Sequence, residues 1–253
     1  MKYYHPLKNG RKTKAIRPFF RVCLFFARIF TKKPKFIWKL PLDGQNTTAP
    51  PVFICNHTGL SAPFNFLVHY PDKIRTWSYY KFLHLKEIWP QMKNVVLKRW
   101  KANPFLYAFI FLVTPIIFWL FRSIEPIPVY RIDRKVIATF HKSVETYLDG
   151  TAQVIFAERL HDNLEQISPY VYSLNRGFVH SAKLLYQKTG EIMKFYPCYS
   201  CASLNVVLIG EPISYNPNIP LKEQRETICT YLEQKITALG ASLPPHKIAK
   251  SIR

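Results

Sequence analysis

One large α/β domain is the fold class the sequence predicts: a mixed, largely parallel sheet covered by helices, preceded by a basic amphipathic arm. Three observations predict it. The apolar run Val52-Phe53-Ile54-Cys55 ends in Asn56-His57 and turns through Thr58-Gly59, the pattern of a buried strand that delivers a polar residue to its carboxyl end. Residues 127–156 read as strand, helix, strand, which implies a right-handed parallel crossover. The chain has 253 residues, 48% of them apolar, which suits one large domain with an appendage, or at most two small domains.

The net charge is +21, which calls for a polyanionic partner, either nucleic acid or an anionic membrane. The distribution favours the membrane. Twelve lysines and arginines and no acidic residue precede Asp43, with phenylalanines and other apolar residues interleaved. The chain therefore divides into a basic amphipathic membrane-associating arm, residues 1–42, and an α/β domain, residues 43–253.

Residues 1–15 are basic and polar, compatible with a solvated arm or with contacts to lipid headgroups. Residues 16–30 turn helical, with Pro18 suited to the first turn. Arg17, Arg21 and Arg28 share a narrow arc, and Phe19, Cys23, Phe26 and Phe30 lie on another face. The arginines interrupt the apolar region and no small-residue cleavage site follows, so this is not a signal peptide. It reads as a helix in the membrane interface; the alternative is a helix packed on the core with its arginines in water. Residues 31–39 are again basic, carrying Phe36 and Trp38, and 43–51 form a loop.

Strand 52–56 follows, then a helix beginning near Pro63 and reaching His69. Residues 72–101 are polar, basic and aromatic. Such interleaving could grip single-stranded nucleic acid, but beside the next segment an interfacial surface is the better reading. That segment, 102–121, has no charge, and by length it could just span a bilayer. A single span would separate His57 from Arg131. A re-entrant or interfacial helix is therefore expected, with a hairpin broken at Pro115 or a wholly internal core helix as alternatives.

Residues 127–130 form a short strand, 134–148 a helix closed by Gly150, and 154–156 the next buried strand. An irregular loop covers 159–173. A helix follows over 176–189, stopped by Gly190, then strands at 194–199 and 206–209. The last element is an amphipathic helix over 221–239, with Ile228, Leu232 and Ile236 on one face. Five cysteines, at 23, 55, 198, 201 and 229, are odd in number and scattered, which suits a reducing compartment. Cys198 and Cys201 have a metal or redox spacing without a second pair, so no metal site is expected. No Walker loop and no dinucleotide fingerprint occur.

A histidine at the end of such a strand can take a proton from a hydroxyl at physiological pH, although a lone histidine there is more often structural. Its company decides the matter. The segment 52–63, then Ile127-Pro128-Val129-Tyr130-Arg131, then Val154-Ile155-Phe156-Ala157-Glu158, then Phe195-Tyr196-Pro197 stand in a set order and separation. Together they resemble the four motif blocks of the phospholipid/glycerol acyltransferase family, which includes the 1-acylglycerol-3-phosphate acyltransferases. The resemblance runs from about residue 52 to about residue 213.

The resemblance implies a glycerolphosphate acyltransferase-like fold and transfer of an acyl group from coenzyme A or acyl carrier protein to a lysophospholipid or glycerol phosphate. No cofactor is implied beyond that acyl-donor substrate. His57 would be the base, Glu158 would position the acceptor or support the site, and Arg131 would hold the acceptor phosphate. Pro128 and Pro197 mark the second and fourth blocks; Asn56 reads as structural. Arg131 could also be an ordinary surface arginine, and Glu158 could cap a turn.

Two positions depart from the family pattern. Ala62 stands where the family has the aspartate that holds the histidine, and Arg159 stands where it has glycine, adding a cation near the phosphate site. Ser61, Glu158 or the substrate phosphate could take over the aspartate's role. The expected protein is an O-acyltransferase at the cytoplasmic face of a membrane, peripheral or monotopic. The alternative is a catalytically silent relative that binds phospholipid or acyl ligands. A nucleic-acid role is not expected.

Overall fold

The computed structural model describes residues 18–39, 49–57, 59, 61–91, 93, 104–130, 135–158 and 166–248. Along them run α1 (Pro18–Phe30), β1 (Lys35–Trp38), β2 (Val52–Cys55), α2 (Ser61–His69), β3 (Ile74–Tyr79), α3 (Leu85–Gln91), α4 (Pro104–Ser123), β4 (Ile127–Val129) and α5 (Val136–Leu148). Then come β5 (Ala152–Ile155), β6 (Gln166–Ser168), β7 (Val171–Tyr172), α6 (Val179–Thr189), β8 (Lys194–Cys201), β9 (Val206–Ile209), β10 (Ile213–Ser214) and α7 (Leu221–Ala241).

Eight strands make one sheet in the order β1-β9-β8-β2-β5-β3-β4, with β10 added to β8; β6 and β7 pair separately. The five strands β8-β2-β5-β3-β4 are mutually parallel, and β9 and β10 run antiparallel to β8. This is the mixed, largely parallel sheet expected. Every residue of β2 is buried, as a central parallel strand with both faces covered requires. Its side chains alternate between two cores. Val52 and Ile54 join a cluster with Val144 and Tyr147 of α5, Leu185 of α6 and Ile228, Leu232 and Ile236 of α7. Phe53 and Cys55 face the other way, into a cluster with Ala62 and Phe66 of α2 and with Tyr70. A third cluster, Ile88 with Ile110, joins α3 to α4.

Two strands differ from expectation. Residues 35–38 carry a basic aromatic pattern that reads as interfacial, yet as β1 they form the sheet edge against β9, within the stretch expected as an arm. Residues 74–79, Ile-Arg-Thr-Trp-Ser-Tyr, look too polar for a buried strand, yet as β3 they pair with both β5 and β4. Most of the side-chain polar atoms of β3 are matched, Arg75 Nε being an exception. Arg75 donates from Nη1 to Thr146 Oγ1 at 3.1 Å and from Nη2 to the Glu125 carboxylate. Gln153 of β5 accepts from Ser143 Oγ at 2.7 Å and from Trp77 Nε1 at 3.1 Å. Buried polar groups are tolerated when paired in this way. Because β3 lies between β4 and β5, the strand-helix-strand unit skips one neighbour. The expected loop over 159–173 contains the short β6–β7 pair.

The helices follow the expected periodicity closely. Helix α6 stops at Gly190, whose φ of +73° is the left-handed cap glycine supplies, and its N–H donates to the Tyr186 carbonyl at 2.8 Å. Helix α4 is continuous through Pro115, so it is neither a broken hairpin nor an internal core helix: Phe105, Phe109, Leu112 and Trp119 are exposed. Among the described residues no helix is long and apolar enough to cross a membrane.

Gly240, near the end of α7, lies against Tyr170: a Cβ there would meet the ring's Cγ at 2.5 Å and its Cβ at 2.9 Å. Alanine would add about 1 kcal/mol of helix propensity, but the rigid root of a tyrosine cannot step aside, and overpacking costs about 1–3 kcal/mol. Gly240→Ala should lower the thermal midpoint. An unchanged or raised midpoint in calorimetry would show that Tyr170 yields freely.

Candidate active site

The parallel strands bring two predicted site residues to one place. Ile54 of β2 and Ile155 of β5 form the last pair of that ladder, and beyond it, at the carboxyl edge of the sheet, the His57 backbone N–H reaches the Glu158 carboxyl. Open α/β sheets build their sites at this edge. Asn56 fixes the approach. Its Oδ1 accepts the Ser200 N–H at 2.7 Å and its Nδ2 donates to the Ser200 carbonyl at 3.3 Å, so a side chain continues the ladder where β2 ends beside β8.

The Phe156 ring meets the His57 imidazole edge-on, with centroids 5.5 Å apart. Burial lowers the His57 pKa below its usual value, which keeps the ring neutral at physiological pH. Glu158 is buried too. Burial pushes its carboxyl up to about 7, against the opposing pull of the Tyr172 and His57 backbone N–H groups. Its Oε1 accepts from the Tyr172 N–H at 3.4 Å. Two buried polar atoms in this site, His57 Nδ1 and Glu158 Oε2, have no hydrogen-bond partner among the described residues. Such atoms are rare in folded proteins and are found where a ligand or a moving proton completes the set.

No family model matches the chain, and no curated protein matches it. A solved structure does. The chain is similar to the 1-acyl-sn-glycerophosphate (LPA) acyltransferase PlsC from Thermotoga maritima, at 12% identity and a TM-score of 0.48 over 89% of this chain and 81% of that one.

The remaining predicted positions are dispersed. Ala62 is fully buried in α2, within the apolar cluster of Phe53, Phe66 and Tyr70. It can offer the imidazole nothing. Ser61 opens α2. Pro128 lies in β4, where its carbonyl accepts from Thr139 Oγ1 at 2.8 Å. Pro197 is buried in β8 opposite Ile54, and its carbonyl accepts the Gly210 N–H at 2.8 Å. Arg131 and Arg159 lie outside the described residues. Phe156 and the Tyr172 N–H were missed as site elements. Phe156 sits inside the third motif block and could have been found there; Tyr172 is supplied by β7, a two-residue strand that no local pattern announces. No metal-holding group of His, Cys, Asp or Glu occurs among the described residues.

The raised carboxyl has a consequence for stability. The folded chain holds the Glu158 proton to about pH 7, whereas an unfolded glutamate releases it near 4.5. Glu158 therefore stabilises the fold fully below the lower value, and this contribution is lost as pH rises through the higher one. The full loss is on the order of 3 kcal/mol. Glu158→Gln cannot ionise, so it should gain stability relative to the natural chain between about pH 5 and about pH 8. Denaturant unfolding at both values checks this; parallel pH profiles would mean Glu158 is not buried as described.

Proposed function

We propose that this protein is a membrane-associated O-acyltransferase that moves a fatty acyl group from an acyl thioester, on coenzyme A or acyl carrier protein, to a hydroxyl of a lysophospholipid or glycerol phosphate. One observation supports the reading: a buried neutral imidazole and a buried carboxyl stand at the ends of adjacent parallel strands, and each has a polar atom without a partner among the described residues.

In this reading His57 removes the acceptor's hydroxyl proton through Nε2. The alkoxide oxygen attacks the thioester carbonyl carbon to give a tetrahedral intermediate. That intermediate collapses with loss of the C–S bond, and the imidazolium returns the proton to the departing sulfur. Such general-base assistance contributes about 10²–10⁴-fold. Glu158 takes the role that an aspartate has in a serine–histidine–aspartate triad: its carboxylate accepts from Nδ1–H and stabilises the imidazolium. Arg131 and Arg159 hold the acceptor phosphate.

Exposed apolar helices support membrane attachment. Arg28 Nε donates to the Val68 carbonyl at 2.7 Å, and Thr31 bonds His69 Nε2 at 3.0 Å, so α1 turns polar groups toward the domain. Phe25, Phe26, Ile29 and Phe30 are left facing outward. Helix α4, in contact with α1, exposes Phe105, Phe109, Leu112 and Trp119. Contiguous exposed apolar surface of this kind marks an interaction face, and the charge of +21 suits an anionic cytoplasmic leaflet. The attachment is peripheral or monotopic, with residues 1–42 as the arm.

A second reading, a silent relative that binds phospholipid or acyl ligands, is favoured by one observation: the position of the family's aspartate is an apolar site filled by Ala62.

Acyl transfer by purified protein in vesicles, with both donor types and a panel of lysophospholipids and glycerol phosphate, separates the two. Activity should fall about 10³-fold in His57→Ala and about 10²-fold in Glu158→Gln. In the natural chain kcat/KM should climb from about pH 5.5 to about pH 8, as His57 sheds its proton below 6.5 and Glu158 ionises near 7. An inert natural chain that gains activity in a folded Ala62→Asp would establish the silent reading. Activity indifferent to His57→Ala would remove the proposed base.

Attachment is tested by co-sedimentation with anionic vesicles. Phe25→Asp with Phe109→Asp should weaken it at least about tenfold, given the apolar area each ring withdraws from water. Unchanged sedimentation would assign the attachment to charge alone.

A further inference from the structure

Glu158 is flanked by an element that does not hold itself in place. Among the described residues β6 and β7 pair only with each other, and a lone two-stranded hairpin is marginal in water. Yet this hairpin supplies the Tyr172 N–H to Glu158 Oε1 at 3.4 Å. The residues that follow it stay beside Glu158: Leu174 forms an antiparallel bridge with Glu158, and the Asn175 N–H donates to the Ala157 carbonyl at 2.7 Å.

The hairpin's ties run to α7. Glu233 Oε1 accepts the Leu174 N–H at 2.7 Å, Thr237 Oγ1 and Ser168 Oγ share a hydrogen bond of 2.7 Å, and Gly240 lies against the Tyr170 ring. Positions 233, 237 and 240 are spaced i, i+4 and i+7, so one stripe of α7 faces the hairpin. Beyond α7, His246 Nε2 bonds the Tyr199 hydroxyl at 2.9 Å, and its ring stacks on Tyr170 with centroids 5.9 Å apart. The tie from Glu233 differs from the rest. Leu174 is buried, so its N–H needs an acceptor inside the protein, and Glu233 supplies it. Val171 and Leu174 also enter the main core, but apolar packing has no direction. The hydrogen bond to Glu233 fixes where the strand sits along its own axis.

Resting on the acyl-transfer reading, in which Glu158 supports the base, we propose that Glu233 is a positioning residue for Glu158: through the Leu174 N–H it holds the hairpin against the carboxyl, keeping the Tyr172 N–H on Oε1 and water off the group. Burial outweighs the Tyr172 N–H in setting the Glu158 pKa, so a hairpin that lifts away lowers that pKa from about 7 toward 4.5.

The titration of Glu158 is the readout, because a merely structural glutamate at 233 would change stability without moving it. Denaturant unfolding across pH compares each chain with the same chain carrying Glu158→Gln, and the pH at which the two curves part marks the Glu158 proton. This subtraction removes the other titratable groups on the elements packed around the site: Cys55 and His57 of β2 and its end, Tyr170 and Tyr172 of the hairpin, Glu233 of α7 and His246 beyond it. In the natural chain the midpoint lies at about 7. Glu233→Leu should lower it by about one pH unit or more. Glu233→Gln, which keeps an acceptor for the Leu174 N–H, should restore it. Glu233→Asp, whose carboxylate falls one methylene short, should lower it by less, and it decides the matter if Glu233→Leu does not fold. An unmoved or raised midpoint in the folded Leu or Asp variant overturns the proposal. The two readings fail separately. A lowered midpoint in a chain without acyl transfer upholds the positioning and removes the reaction. Acyl transfer with an unmoved midpoint does the reverse.

Discussion

The pair of hydrogen bonds between the Asn56 amide and the Ser200 backbone is the constraint on which the site depends. A central parallel strand must satisfy its backbone on both sides for as long as it stays buried. β2 does so through β5 as far as Ile54 and through β8 as far as Cys55, and the Asn56 side chain extends the match one position further on the β8 side. The chain is thereby held flat up to the residue before His57 and then released into a turn. An aspartate or serine at 56 could not present both an acceptor and a donor amide, so the histidine's position is set by the identity of its neighbour.

Burial at that edge also sets the electrostatics. Both titratable groups pay for desolvation in their charged forms, so the histidine is held neutral and the carboxyl is pushed up to about 7. Each shift disfavours an isolated charge, but the two opposite charges formed together attract in the same low-dielectric surroundings. Under the proposed function, a proton arriving at His57 from a hydroxyl makes the Glu158 carboxylate more favourable. A carboxylate at position 62 would lie within the largely apolar cluster of Phe53, Phe66 and Tyr70, where a charge is costly to bury. Under the proposed function, an acidic partner at the end of β5 leaves α2 free to pack as an apolar layer.

Much of this was legible in the sequence. The helices α5, α6 and α7 announce themselves by periodicity and by glycine stops, and β2, β8 and β9 by unbroken apolar runs. β1 and β3 do not, because Lys35 and Arg75 break the pattern; Arg75 is acceptable inside only because Thr146 and Glu125, far along the chain, receive it. The site divides the same way. His57, Glu158 and the departure at Ala62 are visible as motif residues. That His57 and Glu158 end on adjacent strands is a matter of strand order, which no local spacing encodes.

The apolar helices and the site are neighbours by construction. Helix α1 rests on α2, which begins four residues after His57, and α4 rests on the segment 80–83, which leaves the end of β3. Both exposed apolar faces are thus carried by elements that depart from the carboxyl edge of the sheet. Under the proposed function this arrangement has a physical purpose. A lysophospholipid keeps its chain in the bilayer and presents its hydroxyl at the boundary, so a base that works on that hydroxyl must stand at the depth of the headgroups. A protein that docks through helices rooted beside its base meets that requirement without extracting the lipid, and so avoids the cost of moving an acyl chain into water, about 0.8 kcal/mol per methylene.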